Sequence, residues 1–370
     1  MKDGILNINK PAGMTSHDVV RDLRRLLGIK KMGHTGTLDP MATGVLPICI
    51  GKATRITEYT DLDFKKYRCT LRLGLVTDTQ DIWGTVLEEN STAGIMPSDV
   101  EKAFSGFHGH ISQLPPMYSA VRVDGRRLYE YARAGETVDV KKRDVYIKAL
   151  EIEMIDFAYD SDVKKVTFTV ECSKGTYIRT ICEDVGRILG CGAAMESLCR
   201  LASGAFKLED AIDLNELIDS YGSRRYEGEK YFVEPASESG LAQIEKLVLP
   251  IEYPLTHFGS AVLDEEHAKK FIDGWHISFR ECEVAERPEF ESAEPEIEIR
   301  PEYRRAYKMY GKLGTAQADS DACRKTEKTV ESCAVANNET GQFMFLGVAF
   351  YSKTYKKLVA DKVFCRNDEL

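Results

Sequence analysis

Apolar and polar residues alternate through Gly4-Ile5-Leu6-Asn7-Ile8-Asn9, the two-residue period of a half-buried strand. Lys10-Pro11-Ala12-Gly13 then turns the chain. Thr15-Ser16-His17-Asp18 offers caps for a helix with Val19, Val20, Leu23, Leu26 and Leu27 on its apolar face, and Gly28 stops it. The apolar run 44–50 reads as a buried strand. A second helix is predicted over 52–60, a strand over 67–73, two or three strands within 143–173, and a helix over 176–189 closed by Gly190. Strands and helices interleave, but long hairpin-like pairs also occur. That predicts an α/β protein of the α+β type, built on a mixed, mainly antiparallel sheet.

The pattern changes after about residue 213. Residues 221–240 are polar and rich in Gly, Ser and Glu, which predicts a linker or inserted loop. A smaller unit begins at Leu247, with a strand over 260–263, a helix over 264–273 and Gly274. Residues 283–338 are poor in apolar side chains and predict a mobile, acidic insertion. Strand patterning resumes over 341–350 and ends at 362–364, so the two halves are expected to pair into a small β-barrel. The expected domains are therefore 1–215, a linker over 216–246, and 247–370. A chain of 370 residues exceeds one ordinary core, in keeping with that division.

No stretch approaches the roughly 18 apolar residues of a membrane span, and Met1-Lys2-Asp3-Gly4 has no signal-peptide pattern. Ten cysteines without a C-x-x-C pair argue against a zinc site and for a reducing compartment, so a cytoplasmic protein without metal or membrane association is expected. The net charge of −9 is unevenly spread. Residues 1–148 hold 22 Lys and Arg against 18 Asp and Glu, while 281–302 alone hold nine glutamates. The front half can therefore present the local basic surface that phosphate contact requires.

Gly33-His34-Thr35-Gly36-Thr37-Leu38-Asp39-Pro40-Met41-Ala42-Thr43-Gly44 sets one carboxylate, Asp39, in a turn of glycines, threonines and a proline. The glycines permit positive φ or close backbone approach, and Pro40 stiffens the exit. Either Asp39 is displayed for chemistry or it closes an Asx-turn on its own backbone. A phosphate-binding loop is excluded, because Gly36 is followed by Thr37-Leu38 rather than Lys-Ser/Thr. An aspartyl-phosphate site is excluded too, since Gly33 stands where its aspartate would be.

Four other segments carry candidate chemistry. Tyr67, flanked by Lys65, Lys66 and Arg68, combines a π-face with phosphate-binding charge, as a site for an extruded base does; an edge-strand tyrosine is the plainer alternative. In Ser173-Lys174-Gly175-Thr176-Tyr177-Ile178-Arg179, the arginine lies in a helix's first turn, where the helix dipole disfavours it. It needs an anionic partner, either Asp39 or Glu183 one turn on. An ion pair with Asp39 would lower that carboxyl's pKa. The run from Leu114-Pro115-Pro116 onward interleaves Tyr118, Tyr129 and Tyr131 with Arg122, Arg126, Arg127, Arg133, Lys141 and Lys142. It has the composition of an RNA-clasping flap, or of a solvated basic helix. Lys10-Pro11 is suited to bracing a neighbouring loop.

These segments, in this order, resemble the bacterial TruB family of tRNA pseudouridine-55 synthases. GILNINKPAGMTSHDVV, KKMGHTGTLDPMATGVLPICIGKATR, KKYRCTLRLG with TDTQD, QLPPMYSAVRVDGRRLYEYARAG and CSKGTYIRTICEDVGRILGCGA all look like family motifs, and the resemblance covers roughly 3–215. It implies that Asp39 is catalytic, that Tyr67 stacks on the target base, and that Arg179 pairs with the aspartate. It also implies that His34 fills space vacated in the T-loop, that Tyr177 and Leu198 pack around the flipped uracil, and that Lys10 and Pro11 brace the catalytic loop. The flap is implied over about 113–143, followed by a PUA-like C-terminal module. Cys199 departs from the family's usual arginine, and the acidic insertion is not a family feature.

The implied activity is isomerisation of uridine 55 in the T-loop of tRNA to pseudouridine, without cofactor or obligate protein partner. A non-catalytic tRNA-folding protein is the alternative, since it needs the flap and Tyr67 but not Asp39. A glycoside hydrolase would need a second carboxylate such as Asp78 or Asp81 at fixed separation, and the aromatic-basic flap argues for RNA instead.

Overall fold

The computed structural model describes residues 1–157, 163–312 and 343–370, divided into two compact units, Met1–Pro250 and Ile251–Leu370. In the first, β1 (Gly4–Lys10) leads into α1 (Ser16–Leu27). Thr15 and Asp18 form a reciprocal capping box at the start of α1, and Gly28 ends it in the left-handed conformation. β2 (Met32–His34) and β3 (Thr43–Ile50) flank the Asp39 turn. The segment expected as a second helix is a 3₁₀ stretch, Gly51–Leu62. Its threonines recur every three residues, and each hydroxyl donates one turn back: Thr54 to the Gly51 carbonyl, Thr57 to Thr54, Thr60 to Thr57. That period suits three residues per turn.

β4 (Lys65–Leu73) is followed by the hairpin β5 (Leu75–Thr77) and β6 (Val86–Glu89), then α2 (Pro97–Phe104) and β7 (Gly109–Gln113). A long excursion carries β8 (Arg122–Val123), β9 (Arg126–Arg127) and α3 (Leu128–Ala134). β10 (Arg143–Asp156), β11 (Lys165–Cys172), α4 (Ile178–Leu189) and β12 (Ala193–Ser203) complete the centre. After β13 (Phe206–Lys207) and β14 (Ile212–Asp213), the unit closes with α5 (Leu214–Tyr221), β15 (Ser223–Glu227), β16 (Lys230–Glu234) and α6 (Glu238–Lys246). The sheet order is β14-β1-β3-β12-β4-β11-β10-β7, with β2 on β3 and β13 on β12. β1 with β14 and β3 with β12 are parallel; the other described pairs are antiparallel, as the hairpin-like patterning predicted. Leu23 and Leu26 of α1, Phe104 of α2 and Ile181 and Val185 of α4 bury against Ile8, Leu71 and Phe168 of the sheet.

The segment 216–246 is not a linker. Val233 and Ile244 are buried in the same core, and the Tyr231 hydroxyl donates to the fully buried Asp22 at 2.6 Å. Its polar composition reflects a hairpin with one wet face, not a free chain.

The second unit contains β17 (Gly259–Leu263), α7 (Glu265–Ile272), β18 (Glu283–Glu286), β19 (Ala306–Lys312), β20 (Phe343–Ser352) and β21 (Lys357–Val363), in the order β18-β17-β19-β20-β21. Among the described residues this is an open five-stranded sheet rather than the expected barrel. The expected mobile insertion also needs correction over 283–312, because β19 occupies the middle of that sheet with Ala306, Tyr307, Met309 and Tyr310 buried. The glutamates fold back on its cations: Glu294 reaches Arg304 at 2.6 Å and Glu286 reaches Lys308 at 3.7 Å. Residues 313–338 of the expected insertion lie outside the described residues. Among the described residues, no helix is long and apolar enough to cross a membrane.

Candidate active site

The turn between β2 and β3 is tied down from below. Ser16, at the start of α1, exchanges hydrogen bonds with the Leu38 backbone: its Oγ accepts from the amide at 2.8 Å and donates to the carbonyl at 3.2 Å. Lys10 is fully enclosed and donates to the carbonyls of Pro11, Met14 and Pro40, at 2.8, 2.7 and 3.2 Å. Gly13 N–H bonds the same Pro40 carbonyl at 2.9 Å. Burial pushes the Lys10 ammonium down to about 8, against the opposing pull of Asp39. Of the three glycines in the turn only Gly44 needs to be glycine. It sits at φ +101°, and a Cβ there would come within 2.3 Å of the Arg200 carbonyl oxygen.

Asp39 meets Arg179, not its own backbone. Arg179 Nε lies 3.0 Å from Oδ2, and its Nη2 donates to Oδ1 at 3.2 Å, a two-pronged pair. The remaining guanidinium donors fix the arginine in turn, with Nη1 bonding Thr79 O at 3.0 Å and Nη2 bonding Tyr118 O at 2.9 Å. Glu183, the competing partner, instead accepts from Gln80 Nε2 at 2.6 Å. The Asp39 side chain is 33% exposed, opening to solvent on one side. Its carboxyl is nonetheless raised above the ordinary aspartate value, contrary to the expected lowering. Burial pushes it up, Arg179 opposes, and the charge of Asp81 adds to the rise. An ion pair alone predicts a low pKa, and the desolvation that comes with the pocket outweighs it.

Tyr67 lies on β4 with its ring buried, close enough to Asp39 for the two charges to interact. Burial raises its phenol, and the charge of Arg200, which stands opposite it in the sheet, opposes that rise. Tyr177 caps α4. Buried Gln113 grips its backbone on both sides, accepting from its N–H at 3.0 Å and donating to its carbonyl at 3.2 Å. Leu198 is buried in β12 across from Cys69. Leu198 and Cys199 border a cavity of about 640 Å³. His34 lines a separate cavity of about 360 Å³ with Thr35, Gly36, Thr37 and Lys174, and burial lowers its pKa.

The excursion between β7 and β10 keeps its cations outside. Arg122, Arg126, Arg127, Arg133, Lys141 and Lys142 are exposed. Arg126 lies 4.2 Å over the Tyr131 ring and pairs with Glu136 at 2.9 Å, and Arg133 lies 5.4 Å from the Tyr129 ring centre. The base of the excursion joins the site through Tyr118 O on Arg179 and Gln113 on Tyr177. Sequence reasoning missed Gln113 and Arg200, read Ser16 only as a helix cap, and weighed Asp81 only as a second carboxylate. Ser16 and Gln113 act on backbone groups, which leave no complementary charge to find. Among the described residues, no three His, Cys, Asp or Glu side chains gather as metal ligands would.

The fold is shared with chains of known structure. A solved H/ACA ribonucleoprotein bound to a substrate RNA containing 2′-deoxyuridine superimposes with a TM-score of 0.61 at 20% identity, covering 99% of this chain and 86% of that one. A Cbf5-Nop10-Gar1 complex matches with a TM-score of 0.60 at 21% identity, over the same shares. These likenesses concern the fold alone. Sequence gives the family. The model of the TruB family pseudouridylate synthase N-terminal domain matches residues 24–178, and that of the tRNA pseudouridylate synthase B C-terminal domain matches 179–256. The tRNA pseudouridine synthase B of Alkaliphilus oremlandii is 43% identical over 275 residues, 74% of this chain and 83% of that protein. Its counterpart in Clostridium novyi is 49% identical over 215 residues, 58% of this chain and 72% of that protein. The chain belongs to the TruB family of pseudouridylate synthases.

Proposed function

We propose that this protein isomerises uridine 55, in the T-loop of tRNA, to pseudouridine, and that Asp39 performs the covalent chemistry. The observation that carries this reading is the two-pronged Asp39–Arg179 pair beside the buried ring of Tyr67. The N1–C1′ bond breaks, the uracil turns in place, and C5 bonds to C1′; the proton lost from C5 is balanced by one gained at N1. Ionised Asp39 serves either route to cleavage, attack at C1′ or removal of the C2′ proton to give a glycal. Neither route calls for a cofactor.

Extruding the base costs a few kcal/mol, less for a loop than for a duplex, and stacking on Tyr67 returns about 1–3 kcal/mol. Tyr177 and Leu198 wall the uracil, His34 occupies the space it leaves, and Lys10 with Pro11 holds the turn. The exposed arginines of the flap grip the T-arm phosphates, and the enzyme works without an obligate protein partner. None of the eight described cysteines forms a disulfide, which supports a reducing, cytoplasmic setting.

Tritium release from C5-labelled uridine in a tRNA transcript tests this reading. Wild type is expected to release label from one T-loop uridine, and Asp39→Asn to release none while binding tRNA normally. Tight binding without release by wild type would establish the tRNA-folding alternative instead.

A further inference from the structure

Gln80 lies in the connection between β5 and β6 at φ +65°, a left-handed conformation that residues other than glycine rarely adopt. The two other described non-glycine residues with positive φ, Asp124 and Lys356, sit exposed at the tips of the β8–β9 and β20–β21 hairpins. Gln80 is instead half-buried, with its side chain bonded to α4. Glycine would take this conformation without strain, so the strain points to a task for the glutamine side chain.

That side chain binds α4 at two places. Its Nε2 donates to Glu183 Oε2 at 2.6 Å, and its Oε1 accepts from Thr180 Oγ1 at 3.4 Å. Thr180 follows Arg179 directly, and Glu183 lies one turn on. The backbone here is engaged as well. The Gln80 carbonyl accepts from the Met195 amide at 2.9 Å, which ties the connection to β12. The preceding carbonyl, that of Thr79, accepts from Arg179 Nη1 at 3.0 Å. With Nη1 held there, Nε and Nη2 face Asp39. Gln80 and Glu183 border a cavity of about 450 Å³ with Glu88, Asn90 and Arg187. One side of the link is therefore unpacked, and its hydrogen bonds have to hold it.

We propose that Gln80 is a positioning residue, which by tying the β5–β6 connection to α4 holds the Thr79 carbonyl on Arg179 Nη1 and so aims the guanidinium at Asp39. This deepens the reading proposed above and rests on the roles given there to Asp39 and Arg179.

The test uses two variants. Gln80→Gly fits the backbone conformation and removes both side-chain bonds. Gln80→Asn tolerates the same conformation but is one methylene too short for Glu183. In both, single-turnover conversion at saturating tRNA is expected to fall about 10- to 100-fold, as small misplacements do, with tRNA affinity within about twofold. In an Arg179→Met background Gln80→Gly is expected to cost less than about twofold, because the arginine it acts through is gone. Equal losses in both backgrounds, or a loss confined to affinity, would overturn the proposal. A second measurement needs no turnover. The Arg179 Nε proton resonance of the full-length protein, assigned by its loss in Arg179→Met, should shift in Gln80→Gly and in Glu183→Leu. It should stay in place in Asn90→Ala, which alters the same cavity without touching the link. A resonance unmoved in Gln80→Gly removes the link to Arg179, and with it the proposal, whether or not the protein releases tritium.

Discussion

The Asp39 turn and the flap use positive charge in opposite ways. Around Asp39, Lys10, Arg179 and Arg200 are buried, and their donors are committed to backbone carbonyls and a carboxylate. On the flap Arg126, Arg127 and Arg133 are exposed and lie over or near Tyr131 and Tyr129, rings that in the proposed function they exchange for RNA. The first arrangement costs desolvation and yields fixed geometry. The second costs little and yields contacts that salt can screen. Substitutions at the turn should therefore change the chemical step or the stability of the fold. Substitutions on the flap should change binding.

The largest expected effect is that of Asp39→Asn, a loss of turnover on the order of 10³-fold or more, read by tritium release. The same variant should melt at a higher temperature than wild type at pH 7. Because burial raises the Asp39 carboxyl, the folded state holds its proton more tightly than the unfolded chain does. Ionisation therefore opposes folding above the ordinary carboxylate range, and the amide removes that penalty. A lower melting temperature would mean that the Arg179 pair outweighs burial.

Arg179→Met should come next, at about 10²-fold in the rate constant, because it leaves Asp39 without its two-pronged partner. It should also move the acid limb of the rate upward. Arg179 is the main influence holding the carboxyl down, so without it ionisation requires a higher pH. An unchanged acid limb in this variant would detach that limb from Asp39.

Lys10→Met should cost about 3 kcal/mol of stability, since three buried carbonyls lose a charged donor. The size of that loss should depend on pH. The unfolded chain keeps the lysine proton up to its ordinary value of 10.5, while the folded protein gives it up at about 8. Wild-type stability therefore gains with pH between those values and that of the variant does not, so the gap in urea midpoints should widen from pH 8 to 10. A constant gap would place the ammonium in contact with water.

Some of this contrast was legible in the residues. Asp39 stood out because its turn is framed by Thr35, Thr37, Pro40 and Gly44. Arg179 announced a partner because a helix's first turn disfavours a cation. The net effect on Asp39 was not legible, because desolvation depends on what encloses the turn: Lys10 from β1, Thr79 after β5, Tyr118 from the flap. Arg200 looked like one more strand residue until the register placed it opposite Tyr67. In the second unit, β19 was hidden by the glutamates before it. Average composition over 283–338 obscured the apolar Ala306, Tyr307, Met309 and Tyr310, whose neighbours Arg304 and Lys308 meet that acidic run. In the segment 221–240, one apolar face on a hairpin was diluted by Arg224, Arg225, Glu227 and Glu229 around it.

The smallest effect, and the one that isolates the flap, is in the salt dependence of binding. Arg126, Arg127 and Arg133 are exposed and lie on or near flap tyrosines. Each arginine that neutralises a phosphate contributes about one counter-ion to the slope of log affinity against log salt. Single replacements by alanine should therefore flatten that slope by about 1 or less, and weaken binding most at low salt. Single-turnover rates at saturating tRNA should stay near wild type, because none of these side chains reaches Asp39 or Arg179. The contrast breaks if a flap arginine slows conversion with the salt slope unchanged. Such a result would make the flap part of the catalytic geometry, transmitted through Tyr118 O to Arg179 at 2.9 Å or through Gln113 to Tyr177. Gln113→Leu separates those outcomes. It removes the clamp on Tyr177 without touching a flap cation, so it should lower the rate constant and leave the salt slope alone.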